Sequence, residues 1–301
     1  MRNFIFFVGI LIINCSCEDV IEVDINDGKI QLCVDAFINN KKETQKIILK
    51  KTKQFFDNTE QFPFKADSVY ISDSSGNKFI FKDIDDTGEY TWNDSDSSFV
   101  KVGNEYTLTI KASDSTYTST SEVFPVANVD SINWIYAPPL FEGQLGTYIV
   151  EGVIMDLAGQ DDYTWVRVKI NGDYILKKSS IIVAKNNSNV GLGVDGELFI
   201  PPAAWYQPRG KETINIGDVV TFETWSFSEQ TALFWQEVFN QNIDGAFSAI
   251  FATPTSNVMT NIISNSNKSE NNAVGWFSVS IVSQESVTIY DKPGEELSFP
   301  N

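Results

Sequence analysis

The chain reads as an all-β protein. Three observations carry that expectation. Apolar and polar residues alternate with a period of two from residue 29 onward, clusters of Gly, Asp, Asn and Ser interrupt the alternation, and a single segment shows helical periodicity. The spacing predicts an N-terminal immunoglobulin-like or prealbumin-like β-sandwich over residues 29–125. A second, larger β-sandwich or barrel-like domain with one amphipathic helix is expected over 130–292, and a C-terminal tail over 293–301.

The start of the chain, residues 1–16, reads as a signal peptide. Arg2 precedes ten largely apolar residues, Phe4 to Ile13. That run is shorter than the ~20 residues that cross a bilayer and suits the core of a secretory signal. It resembles a bacterial lipoprotein signal, in which the residue after the cut is a lipid-bearing cysteine. Cys17 follows the small Ser16, whereas Cys15 follows the bulkier Asn14, so Cys17 is the expected lipidation site. The alternative is an ordinary cleaved signal with incidental cysteines. Residues 17–28, carrying Glu18, Asp19, Glu22, Asp24 and Asp27, form an acidic lipid-linked tether.

In IQLCVDAFI, Ile30, Leu32, Val34, Ala36 and Ile38 share one strand face. SVYISD, KFIFK, EYTLTIKA and TYTSTSEVF come next as strands, parted by turns at Gly76, Gly88 and Gly103. Pro125 and VANVDSINW mark a joint, because Pro disfavours a central strand. Beyond it come GTYIVEGVIMD, YTWVRVKI, YILKKSSIIVA, ELFI, DVVTFETWSF, VGWFSVSIVS and SVTIY. In VVTFETWSF, Val220 and Phe222 oppose Thr221, Glu223 and Trp225, so both faces carry bulk and the strand is covered on both sides or lines an aromatic cleft. Between these strands a helix is predicted over 228–241, with Ser226 and Glu229 at capping-box spacing and Ala232, Trp235, Val238 and Phe239 on one stripe. Asn257 to Asn272, rich in Asn and Ser, reads as an exposed loop.

Composition narrows the chemistry. A net charge of −18 disfavours nucleic acid and anionic lipid surfaces. The absence of histidine excludes a Ser-His-Asp triad, a histidine-bearing zinc site and histidine acid–base catalysis. The three cysteines all lie in the first 33 residues and offer no disulfide framework; Cys33 reads as a small buried apolar residue. Carboxylate pairs for glycoside hydrolysis are possible among 40 acidic residues, but none is singled out. Asp83, Asp85 and Asp86, then Asp94 and Asp96, and DINDG at 24–28, offer the oxygen ligands Ca²⁺ requires. None has the spacing of a known calcium loop, and solvated turns are the better reading. No metal, cofactor or catalytic residue is expected. The contact expected for a ligand or partner lies in PPAAWYQPRGKE, residues 201–212, where prolines stiffen a loop that presents Trp205, Tyr206 and Arg209.

The order of these segments carries a resemblance. A cysteine-bearing start and acidic tether lead into IQLCVDAFI, ADSVYISDSSGNKFIFKDIDDTGEYTW and GNEYTLTIKASDSTYTSTSEVFPVANVDSI, then a late helix, PTSNVMTNI and NNAVGWFSVS. The chain resembles the DUF4249 family of Bacteroidetes lipoproteins over nearly all of its mature length. The resemblance implies an extracytoplasmic all-β protein, of a kind commonly encoded beside TonB-dependent outer-membrane receptors; it implies no reaction and carries over no functional residues. The expected role is therefore a non-catalytic accessory or ligand-binding partner of a TonB-dependent transporter, anchored in the outer membrane and facing outward. A stand-alone surface adhesin or glycan-binding module is the alternative, and a carboxylate-based hydrolase a remote one.

Overall fold

A computed structural model describes residues 29–54, 57, 59–93, 99–113, 115–139, 145–158, 162–175, 182–185, 198–199, 205–206, 213–241, 258–266 and 273–291. Cys17 with its signal and tether, Asp94, Asp96 and Arg209 lie outside the described residues. Among the described residues the protein is all-β with one helix, as the alternation predicts.

The first unit pairs two sheets. One runs in the order β17 (Ala273–Ser280), β1 (Leu32–Asn39), β2 (Gln45–Lys51), β5 (Glu89–Trp92). The other runs β16 (Ile263–Ser264), β7 (Ser115–Glu122), β6 (Glu105–Ala112), β3 (Ser68–Asp73), β4 (Lys78–Phe81). Period-two alternation sends one face of each strand inward. Leu32, Val34, Ala36 and Ile38 of β1 meet Ile71, Leu108 and Ile110 from the facing sheet in one core. Ile30, expected on the same face, precedes the strand and is 60% exposed.

The second unit joins a sheet of β11 (Asp173–Tyr174), β10 (Tyr163–Ile170), β15 (Val219–Phe227) and β18 (Val282–Thr288), with β12 (Ile182–Lys185) also on β10. Opposite lies β9 (Thr147–Met155), flanked by β8 (Asn128–Ala137), β13 (Leu198–Phe199) and β14 (Trp205–Tyr206). Val150, Ile154, Val166, Val220 and Phe222 fill the space between. Gly152 makes this approach possible, because a Cβ there would sit 2.7 Å from the Phe222 ring. β15 is buried on both faces, as its bulk on both sides predicts.

Hydrogen bonding does not follow the expected break near residue 130. β16 and β17 lie far beyond it, yet both belong to the sheets of the first unit. β17 runs parallel to β1 over eight residues, from Leu32↔Ala273 to Asn39↔Ser280. Only Ile281 separates β17 from β18, so one nearly continuous strand run serves both units. At the crossing, Ile281 N–H donates to Ser226 Oγ and Ser226 N–H to the Ile281 carbonyl, both at 2.9 Å.

Over its described part, 258–266, the loop expected at 257–272 is largely irregular, with Met259, Thr260, Ile263 and Asn265 exposed, but it holds the two-residue β16 and is pinned to the first unit. Ile262 is buried in the first core, and the Asn261 amide donates to the Phe277 carbonyl at 2.7 Å and accepts from its N–H at 2.9 Å. Asn261 and Asn265 here satisfy strand edges, which composition alone does not distinguish from solvation.

The helix, α1 (Glu229–Gln241), lies where predicted, but its cap is shifted. β15 continues through Phe227, which pairs with Tyr163. Ser226 is thus a strand residue, and Ser228 caps the helix, accepting the Thr231 N–H at 3.1 Å. Glu229 accepts the Tyr163 hydroxyl at 3.0 Å. The buried stripe is Thr231, Ala232 and Phe234, with Trp235 half-buried; Val238 and Phe239 are only partly covered.

Candidate functional site

The units meet where the outer face of β1 and the odd-numbered face of β10 and β15 come together. On β10 these residues are Tyr163, Trp165, Arg167 and Lys169, and register sets Trp165 opposite Trp225 and Arg167 opposite Glu223. Alternation places these rings and charges on one face, while Val166 and Val220 turn into the second core.

Glu223 is the centre of the seam, its side chain wholly buried. Lys169 Nζ lies 2.7 Å from Oε1 and Lys41 Nζ 3.1 Å from the same oxygen. Oε2 accepts the Tyr174 hydroxyl at 2.8 Å and the Trp225 indole N–H at 2.9 Å. Four donors thus surround a carboxylate that would be costly to bury alone. Burial by itself would push its carboxyl up. The Lys169 hydrogen bond, the Lys41 charge and the Trp225 and Tyr174 donors outweigh it and hold the carboxyl at about 2.

Lys41 is aimed by a purpose-built turn between β1 and β2. The Asn39 N–H donates to Gln45 Oε1 at 2.9 Å, and the Lys41 N–H to Asn39 Oδ1 at 2.8 Å. The Gln45 amide also donates to the carbonyls of Lys41 and Glu43. Asn39 and Gln45 are both buried, so the turn that carries the lysine is rigidly held.

Arg167 behaves differently from the lysines. Its guanidinium carbon lies 3.5 Å from the centroid of Tyr174 and 4.4 Å from that of Trp165, a cation–π stack. Burial lowers its pKa, opposed by Tyr174, Glu223, Glu43 and Asp35. Asp35, facing it from β1, has its pKa raised by burial, against the pull of Arg167. The Tyr174 phenol, desolvated beside these charges, is pushed up to about 12.

Beyond the charges the seam is aromatic. Trp165 stacks on Trp235 at 4.7 Å and on Phe227 at 5.4 Å, and Phe37 from β1 reaches Trp235 at 5.4 Å. Trp276 stacks on Phe234 at 4.7 Å and donates its indole N–H to Thr231 Oγ1 at 3.1 Å. The helix thereby fills the wedge between the units.

Trp205 and Tyr206, expected at the tip of a stiff loop, have a backbone that forms β14, paired as Trp205↔Glu151 and Tyr206↔Val150. Pro201, Pro202 and Pro208 bracket the pair, and Pro cannot extend a ladder through its own nitrogen. The seam residues carry a signal the sequence holds in plain view: Trp165, Arg167 and Lys169 fall at i, i+2 and i+4 of one strand.

The acidic turn at 83–86 is locally satisfied. Asp83 accepts the N–H groups of Thr87 at 3.1 Å and Gly88 at 2.8 Å, and Asp86 pairs with Lys65 at 2.9 Å. Among the described residues no three acidic or thiol side chains converge as a metal would require. None of the described helices is long and apolar enough to cross a membrane.

A family model described as a domain of unknown function, DUF4249, matches residues 18–286. No curated protein matches the chain, and no solved structure does.

Proposed function

Because the chain belongs to the DUF4249 family, whose function is unknown, its role is argued from its own residues, and we propose that it is a surface-exposed outer-membrane lipoprotein acting as a non-catalytic accessory of a TonB-dependent transporter. The observation that carries this reading is CSCEDVIEVDIND at residues 15–27, directly after the apolar signal. Lipid on Cys17 gives a durable anchor where two or more acyl chains are attached. The 12-residue tether, 17–28, then limits the first sandwich to within roughly 40 Å of the membrane.

The seam supports a scaffold role. Glu223, Lys41 and Lys169 answer one another inside the fold, and the aromatic wedge holds the two units together. A rigid pair of β units on a short leash suits an element that docks beside a receptor and holds its ligand near the receptor's mouth. Trp205, Tyr206 and Arg209 are the proposed ligand or partner contacts, since a Pro-bounded segment with two aromatics and a cation suits stacking and charge contact.

The test begins with native membranes, crosslinked and solubilised in mild detergent. A large β-barrel receptor should copurify with the protein, and Cys17→Ser should release the protein from the membrane. Recovery as a lone monomer under several crosslinking conditions would refute the transporter role. If Trp205→Ala and Tyr206→Ala then weakened binding to a surface polysaccharide, the stand-alone glycan-binding reading would replace it.

A further inference from the structure

A groove of about 660 Å³ opens at the side of the first sandwich, between β7, the segment preceding β16, and the start of α1. That size lies within the range of real ligand sites. Its floor is Thr118, Ser119 and Thr120, and its walls include Leu233, Met259 and Asn261. Leu233 and Met259 are 44% and 38% exposed, respectively, so apolar surface is open to an occupant.

The floor is an unfinished strand edge. The Asn265 N–H donates to the Thr116 carbonyl at 2.9 Å, so even-numbered residues of β7 turn their backbone groups away from β6 and toward this edge. Among the described residues β16 pairs Ile263↔Thr118 and Ser264↔Tyr117. Continuing that register would set Asn261 opposite Thr120. Asn261 is instead held by Phe277 on β17, because Ile262 turns into the first core. The Thr120 N–H and carbonyl therefore face the groove where the added strand has ended. Beside them, Ser119 Oγ is buried without a hydrogen-bond partner.

We propose that this groove is a docking site for an extended, uncharged segment of another polypeptide, which adds to the free edge of β7 at Thr120. Strand addition supplies the missing main-chain partners, and alternate side chains of the incoming segment seat against Leu233 and Met259. Charge selects the class of occupant. Among the described residues the lining holds no Asp, Glu, Lys or Arg, in a chain of net charge −18. A neutral alternating segment fits this lining, whereas an acidic segment meets the surrounding negative field and a basic one finds at this wall a Glu237 carboxylate already engaged by the Met259 N–H at 2.9 Å. The proposal stands apart from the identity of any transporter.

The test uses a displayed library of random heptapeptides selected against the full mature chain. Selected peptides should alternate apolar residues and carry no charge at their centre. Their binding should weaken at least tenfold in Leu233→Asp, an exposed helix position where folding is preserved, and in Thr120→Pro, which removes the edge N–H. The Thr120 amide should also gain hydrogen-exchange protection when a selected peptide binds the unmutated chain. Absence of enrichment, equal binding to Leu233→Asp, or an unchanged Thr120 amide would each overturn the proposal. None of these outcomes depends on whether a β-barrel receptor copurifies.

Discussion

At the scale of the residue, Glu223 shows how a buried charge becomes a structural element. The cost of desolvating it is met by two ammonium groups and two neutral donors, which hold its carboxyl at about 2 against an ordinary 4.5. The folded value lies below the unfolded one, so the contribution is present above pH 4.5 and is lost as pH falls through about 2. By linkage this is worth roughly 3 kcal/mol, since each tenfold change in proton affinity is about 1.4 kcal/mol. We expect the melting temperature to fall along this acid limb, and Glu223→Gln to flatten the limb while lowering stability at pH 7 by about 3–5 kcal/mol. Calorimetry from pH 7 to pH 2 reads both effects; an acid limb of the same slope in the variant would show the cluster to be electrostatically idle. Tyr174 has the opposite sign. Its folded value of about 12 exceeds the ordinary 10, so its contribution is complete below pH 10 and disappears as pH rises through 12. Ultraviolet titration of Tyr174→Phe should therefore lack a late-ionising phenol that the unmutated protein shows, while Arg167 keeps its ring.

At the scale of the element, β17 is the piece on which the first unit depends. It lies against β1 so closely that a Cβ on Gly275 would sit 1.9 Å from the Val34 carbonyl oxygen, and Gly275 has φ +100°. Backbone against backbone leaves no flexible side chain to yield. Gly275→Ala is expected to lose more than about 3 kcal/mol, through both strain and collision. Gly76 is the matched comparison: its φ is +85°, but nothing lies within 4 Å of the added carbon. Gly76→Ala should cost only about 1 kcal/mol, the conformational part alone. Urea unfolding of the two variants separates collision from strain, and equal losses would mean that β17 does not press on β1 in solution. The helix cap offers a smaller effect of the same kind. Ser228→Ala removes the acceptor for the Thr231 N–H and should lower stability by about 1 kcal/mol.

At the scale of the whole molecule, the two units are expected to unfold together. The run from β17 to β18 threads both, and Asn40 Oδ1 accepts the Val282 N–H across 242 residues of sequence. Phe37 adds the aromatic contact from the first unit to Trp165 and Trp235 in the seam. Phe37→Ala should weaken this junction and split thermal unfolding into two steps, seen as far-ultraviolet dichroism and tryptophan fluorescence no longer coinciding. A single coincident transition in the variant would show that the strand run alone couples the units.

Period-two alternation is a local property, and the sequence by itself determined its direct consequences: the all-β class, the face of β1 that turns inward, the burial of β15 on both sides, and the place of the one helix. It also held half of the seam, because Trp165, Arg167 and Lys169 fall on one strand face beside the face carrying Glu223 and Trp225. The helix cap was misplaced by two residues, since a serine within hydrogen-bonding reach of a helix start does not reveal that β15 extends to Phe227. Only the tertiary structure decided that β17 closes the first sandwich, that Lys41 reaches Glu223, and that Asn261 bonds Phe277 of β17. Each of these joins residues far apart in the chain, and the pairing of distant strands depends on which edges and faces meet once both units are packed. No local pattern in either strand specifies its distant partner.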